Sequence, residues 1–494
     1  MTGEALPPSG ADAGGLGAAQ PSGPQVGADE WVARQAQRRE YLPSWLGSAQ
    51  RSVERFGWWP RLALACLAGL ALPLLGLGGF QLQVGIDSLG IALLAVGLNV
   101  VVGWTGLLDL GYVAFFGFGA YGFALLSSAQ IGSHGIHLTS ALSIPIVMIA
   151  TGILGLLVGL PSRRLSGDYL AIVTLFFGEA FVEFTNNVSP GVFGGPNGIV
   201  GIDTIHGFGV QLESNKGYYY LLVILLVATM AVLRLLDTSR TGRAFRAVRE
   251  DPLAAASMTI PVDRVKLMAF AFGAAIAALA GTVFAAQQIS VFPTDFDTPI
   301  LIVVYAALIL GGAGSIAGAA AGGLVVYVIY DGLLRSPTYS GYLFYALILL
   351  ALIAKLRPWR RLGLVVAATA ALGFAAHAIA GAISASWVAG APQSTGLLGD
   401  ALRDWVIVPA NSQTAGKVGF VLLVCMLIGL VQLKDRWRTA LLVVTLYVAS
   451  FTWETVLSAN PSVTRQLMIG AILIVMMNAR PQGLLGTRRV EVAT

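Results

Sequence analysis

Apolar runs long enough to cross a lipid bilayer recur through this sequence from Arg61 to Ala479, with few charges inside them. A spanning helix takes about 20 predominantly apolar residues. Backbone amides cannot be left bare in lipid, so only helices or a closed barrel can span, and these runs are too long and unbroken for barrel strands. Fourteen candidate spans follow, at 61–79, 84–103, 112–128, 141–160, 168–186, 218–236, 266–288, 299–313, 316–334, 341–356, 362–389, 418–433, 439–457 and 466–479. The expected fold class is all-α, a polytopic transmembrane helical bundle of about fourteen spans. Some are short or broken, notably around Gly117, Gly119 and Gly122. Of the 494 residues only 11% are charged, against roughly 25% in soluble chains, which excludes a soluble, disordered or disulfide-stapled protein. Cys66 and Cys425 both sit in apolar runs, too few for a disulfide framework or a four-cysteine metal site.

Charge placement is an independent check on these spans, because cytoplasmic loops accumulate Lys and Arg. With the N-terminus inside, only Lys216, Arg335, Arg403, Lys417 and Arg465 fall outside, leaving 25 of the 30 basic residues on the inner side. A miscounted span would move downstream loops across the membrane and spoil that asymmetry. Both termini are therefore expected in the cytoplasm. The positive charge faces lipid headgroups there, not nucleic acid. Residues 1–60 read as a Pro-, Gly- and Ala-rich disordered tail followed by an interfacial segment, and the first apolar run starts too late for a secretory signal.

The longest inner loop, 237–265, reads DTSRTGRAFRAVREDPLAAASMTIPVDRV. Within it Phe245, Val248, Leu253 and Met258 are candidates for one apolar stripe, interrupted at Pro252 and flanked by Arg243, Arg246, Arg249, Glu250 and Asp251. A short surface helix of that kind docks its apolar side in a partner's groove while its charges set orientation. The plainer alternative is a basic loop that fixes topology and touches headgroups.

GRAFRAVREDPLAAASMTIPVDRVKLMAF (242–270) resembles the ATPase-coupling loop of branched-chain amino-acid ABC transporter permeases of the LivM type. Further matching segments are GLNVVVGWTGLLDLGYVAFFGFGAY (97–121), LSGDYLAIVTLFFGEAFVEF (165–184), GGPNGI (194–199), LGGAGSIAG (310–318) and ARPQGLLG (479–486), in order along the chain. The resemblance implies one membrane subunit of an importer for branched-chain or other hydrophobic amino acids. Its partners would be a second permease subunit, two cytoplasmic ATPase subunits and an extracytoplasmic amino-acid-binding protein. It implies that Arg243, Phe245, Arg246, Arg249, Glu250, Asp251, Ala254 and Ala255 belong to the coupling segment. Thr259 stands where the family usually has Gly, and Ala256 where an acidic residue is common. No cofactor is expected on this chain: it has no G-x-x-x-x-G-K-[ST] loop, so ATP would be hydrolysed by the partners. On this reading 61–334 is the permease core, 335–460 an additional transmembrane insert, and 461–494 a terminal span with a cytoplasmic tail.

Ionisable residues inside spans are costly and mark cavities or partners. The candidates are Asp87, Asp109, Glu179, Glu183, Asp331 and Glu454. Glu179 and Glu183 share a helical face, with Glu179 assigned to a translocation path and Glu183 to the outer interface. Asp109 and Tyr112 lie in a Gly-rich motif that permits a broken helix, whose bare backbone groups bind a zwitterion if they line a cavity. With Asn99 they complete the expected path, and tight packing through glycines is the alternative. Gly314, Gly318 and Gly322 expose one bare edge, suited to a helix or subunit contact. GGPNGI reads as an outer turn. His134, His137, His206 and His377 have no Cys, Asp or Glu at metal-ligand spacing, and Ala313 breaks a G-x-S-x-G pattern before Ser315, so neither a metal site nor an enzyme is expected. The rival function is a stand-alone carrier or channel, coupled to an ion through Glu179 or Asp109.

Overall fold

The structure is a computed structural model that describes residues 57–485, apart from 77, 130–135, 164, 166, 189, 208–209, 357–358, 395, 434 and 480–482. The expected N-terminal tail, His134 and most of the closing tail lie outside the described residues. Every one of the fourteen expected stretches contains a helix. Among the described residues nine helices have the length and apolarity to cross a membrane, and four more are shorter and apolar.

The chain begins with α1 (Trp58–Ala71) and α2 (Gly79–Leu98), the latter buried almost all round from Ile91 onward. A π turn over Asn99–Gly103 continues α2 through Thr105, and residues 106–111 are non-helical before α3 (Tyr112–Leu126). The chain breaks just ahead of Tyr112, and α3 is short but runs unbroken through Gly117, Gly119 and Gly122, where a break was expected. Then come α4 (Ser140–Gly159), α5 (Asp168–Asn187) and α6 (Asn215–Thr238). Two short helices follow, α7 (Arg240–Glu250) and α8 (Pro252–Ser257). The long α9 (Val262–Gln288) is the hub, packed against α3 and α4. Small residues make that possible: a Cβ on Gly119 would lie 2.5 Å from the Ala278 backbone, so α3 and α9 touch backbone to backbone.

After α9, α10 (Thr298–Gly311) and α11 (Ile316–Tyr327) form a tight hairpin. Gly318 and Gly322 face α10, while Gly323 presses on Ala92 of α2, so the bare edge serves helix packing within the chain. Three pairs of two-residue strands, such as Ile199–Val200 with Ser290–Val291, close the end of the bundle opposite α7 and α8. GGPNGI is a turn there, with Gly194, Gly195 and Gly198 at positive φ.

The remaining helices are α12 (Pro337–Lys355), α13 (Trp359–Ile383), α14 (Leu397–Arg403), α15 (Ser412–Gln432), α16 (Asp435–Thr452) and α17 (Pro461–Ala479). The main apolar core runs from Leu82 to Val326 and takes in Ile469 of α17. Residues 335–460 have a separate small core of Leu402, Val406 and Val408, packed by Tyr345, Trp405 and Phe451. Phe344 stacks on Trp453 at 4.1 Å between ring centroids. Buried Glu454 accepts from Ser394 N at 3.1 Å and Ser394 Oγ at 2.7 Å, which satisfies a carboxylate that would otherwise be costly in that setting.

Candidate functional site

The α7–α8 loop is a built helical hairpin. Ser239 caps α7 by accepting from Gly242 N at 3.3 Å. Asp251 ends α7 in extended conformation, and its Oδ1 caps α8 by accepting from Leu253 N at 2.8 Å and Ala254 N at 3.1 Å. Pro252 fits the first position of α8, where no backbone donor is needed. The cap and the proline turn the chain, and the apolar stripe expected across both helices divides there. Phe245, Val248 and Ala255 are buried against the bundle, whereas Leu253 and Met258 are 81% and 76% exposed. Arg243, Arg246, Glu250, Asp251 and Ala254 are exposed as well.

Segments far apart in sequence converge beneath α7. Phe245 packs on Trp104 at the end of the α2 π turn, ring centroids 5.9 Å apart. Arg249 lies over two glycines: a Cβ on Gly314 would come within 2.6 Å of its Nη1, and one on Gly106 within 3.4 Å of its Cγ. Asn99, expected along the path, instead accepts from Gly314 N at 2.7 Å. It therefore braces the seat of Arg249. From the terminal motif, Leu484 N and Leu485 N donate to Leu310 O and Gly311 O at 2.8 and 2.9 Å. Arg246 Nη2 donates to Asp237 O at 2.9 Å, tying α7 to the end of α6.

The 106–111 break leads from this seat into the core. Two of its backbone groups pair with distant side chains: Leu110 N donates to Thr174 Oγ1 at 2.9 Å, and Tyr305 Oη donates to Asp109 O at 2.6 Å. Asp109 Oδ1 accepts from Gly111 N at 3.0 Å, and Tyr112 Oη donates to Gly273 O at 3.2 Å. These bonds tie the break and the start of α3 to α5, α9 and α10. Asp109 Oδ2, wholly buried, has no partner. Glu179 is on an exposed face of α5 with Tyr169, Ile172 and Phe176, and it adjoins Leu110 and Gly111 of the break. It accepts from Thr298 Oγ1 at 2.6 Å beside a cavity of about 10 Å³. Glu183 is exposed and accepts from Asn187 Nδ2 at 2.7 Å.

A second polar cluster escaped sequence reasoning, apart from Asp87 itself. Gln83 Nε2 donates to Asp87 Oδ1 at 3.0 Å, and Gln83 Oε1 accepts from Gln287 Nε2 at 3.1 Å. Asp87 and Gln287 line a cavity of about 70 Å³ with Ile91, Leu94, Phe116, Phe284 and Tyr327. Nearby, Asp331 is held by Arg465 at 2.9 Å and Arg335 at 3.3 Å. Among the described residues no three His, Cys, Asp or Glu side chains gather in a way that holds a metal ion.

Residues 82–352 match a family described as the branched-chain amino acid transport system / permease component. The high-affinity branched-chain amino acid transport system permease protein LivM of Salmonella typhimurium is 40% identical over 247 residues, 45% of this chain and 56% of that protein. The probable LivM permease of Methanocaldococcus jannaschii is 30% identical over 276 residues, 52% of this chain and 75% of that protein. The LivH permease of Escherichia coli is 27% identical over 284 residues, 53% of this chain and 88% of that protein. The chain thus spans little more than half the length of the LivM relatives it matches at 40% identity. No solved structure matches. The matched region is more than half the chain and contains α2 to α11 with the α7–α8 hairpin, and this multi-pass membrane protein belongs to the permease-component family of branched-chain amino acid transport systems.

Proposed function

We propose that this chain is a membrane subunit of an ATP-driven importer for branched-chain or other hydrophobic amino acids. The observation that carries the reading is the division of labour within the α7–α8 hairpin. Phe245, Val248 and Arg249 anchor it to the ends of α2, α10 and α11, and Leu253 and Met258 are left uncovered. Exposed apolar residues on a capped, charged hairpin suit the groove of a soluble partner. In this proposal two cytoplasmic ATPase subunits bind there and bind and hydrolyse the ATP. Their closure moves α7, and Trp104 passes the motion to the 106–111 break and thence to Asp109, Tyr112 and α9. The end bearing α7 then faces the cytoplasm of an inner membrane, both termini included, with about fourteen crossings.

The exposed face of α5 supports a second permease subunit. A carboxylate among Tyr169, Ile172 and Phe176 is unfavourable against lipid, and a neighbouring protein or a water-lined path removes that cost. The opposite end, with its strand pairs and the GGPNGI turn, is the docking side for an extracytoplasmic amino-acid-binding protein. Membrane lipids cover the remaining apolar faces.

Reconstitution tests the reading. The chain assembled with the second permease, the ATPases and the binding protein takes up leucine only with ATP, and the chain alone takes up none. Uptake by the chain alone under a proton or sodium gradient would establish the ion-coupled carrier instead.

A further inference from the structure

Beyond the coupling hairpin, the half of the bundle away from α7 contains an uncommitted cavity. Asp87 is eight residues into α2, about 12 Å along its axis from the end remote from Gly103. The cavity's volume of about 70 Å³ is several times the roughly 10–15 Å³ that admits one water. Most of its wall is apolar, from Ile91, Leu94, Phe116 and Phe284 on three helices. Its polar groups are few and face one region, the pattern of a small-molecule site rather than a packing fault. Gly90 lines it as well, and a Cβ there would meet nothing within 4 Å.

The polar groups are incompletely used. Gln83 occupies Asp87 Oδ1 and Gln287 Nε2, and among the described residues nothing donates to Asp87 Oδ2 or Gln287 Oε1. Two free acceptors, one of them a carboxylate, suit a donor-only cation such as an ammonium. The electrostatic neighbours of Asp87 include Asp331 and Arg335. Asp331 is itself held by Arg335 and Arg465, which leaves Asp87 without an ion-pair partner among the described residues. Resting on the importer reading, we infer that this cavity is a binding site for the substrate within the chain itself, taking an aliphatic α-amino acid with its ammonium on Asp87 and its side chain between α2, α3 and α9.

Thiol protection tests this directly. In a Cys66→Ala, Cys425→Ala background, Gly90→Cys presents a thiol to the cavity. L-Leucine slows its alkylation in the purified full chain, whereas 4-methyl-2-oxopentanoate, which has the same side chain and no ammonium, does not. Adding Asp87→Asn raises the leucine concentration needed for protection about tenfold or more. Equal protection by the keto acid, protection by a fatty acid that is indifferent to Asp87→Asn, or no protection by leucine would each overturn the inference. In the reconstituted assembly, Gly90→Leu lowers leucine uptake more than alanine uptake. Protection by leucine without ATP-driven uptake would keep this site and reject the importer, and ATP-driven uptake without protection would do the reverse.

Discussion

Thr259 sits at φ 64°, in the left-handed region, in the turn that links α8 to α9. Its β-branched side chain is poorly suited there, at a cost of roughly 1–2 kcal/mol, and a glycine at this position is what related permeases lead one to expect. Thr259→Gly is expected to stabilise the chain by about 0.5–1 kcal/mol, because relief of the steric cost exceeds the added unfolded-state entropy of glycine. Thermal unfolding of the purified chain checks this, and a lower Tm for the variant would show that Thr259 is not strained. Asp109 illustrates the opposite case, a residue legible as important whose role was not. Its place in GLLDLGY marked it as a candidate, yet its neighbours Thr174 and Tyr305 arrive from 64 and 196 positions away. No local pattern shows that these distant side chains take up Asp109 O and Leu110 N.

The α7–α8 hairpin makes separable predictions about stability and coupling. Phe245 is wholly buried against Trp104, so Phe245→Ala is expected to cost about 3–5 kcal/mol of stability. Leu253 and Met258 touch little of the bundle. The double variant Leu253→Ser, Met258→Ser is expected to keep the wild-type Tm while ATP-driven uptake falls about tenfold or more, as for apolar anchors in an interface. A lowered Tm with uptake intact would place these side chains in the fold instead of at a partner. The helices themselves were readable because apolar length is a local property. The split of the apolar stripe was not, since it follows from Asp251 capping a new helix whose axis differs from that of α7. The cavity was hidden for a related reason: Gln83 and Gln287 meet across 204 positions, and each looks alone like an ordinary polar residue near a helix end.

Across the whole molecule, residues 335–460 form a polypeptide detour that leaves α11 and returns at α17. Asp331 lies just before the detour and Arg465 just after it, and their ion pair at 2.9 Å closes its base. Arg465 also lies over the Tyr330 ring, 5.2 Å from its centroid. Removing the buried carboxylate strands the largely buried Arg465 guanidinium, so Asp331→Ala is expected to cost about 3–5 kcal/mol, measured by denaturation of the purified chain. Unchanged stability would mean that the detour is held by its apolar contacts alone. The ion pair joins residues 134 positions apart, which no local pattern in the sequence displays.

The central claim is that α7 and α8 form the handle by which a separate motor moves this chain. The most direct measurement is disulfide cross-linking of Ala254→Cys, exposed on α8, to cysteines placed around the groove of the co-assembled ATPase subunit, with and without nucleotide. The account predicts an adduct whose yield changes on ATP binding and whose formation stops leucine uptake until a reductant is added. Absence of an adduct from Ala254 and from every other exposed position of the hairpin, with uptake proceeding normally, would contradict it.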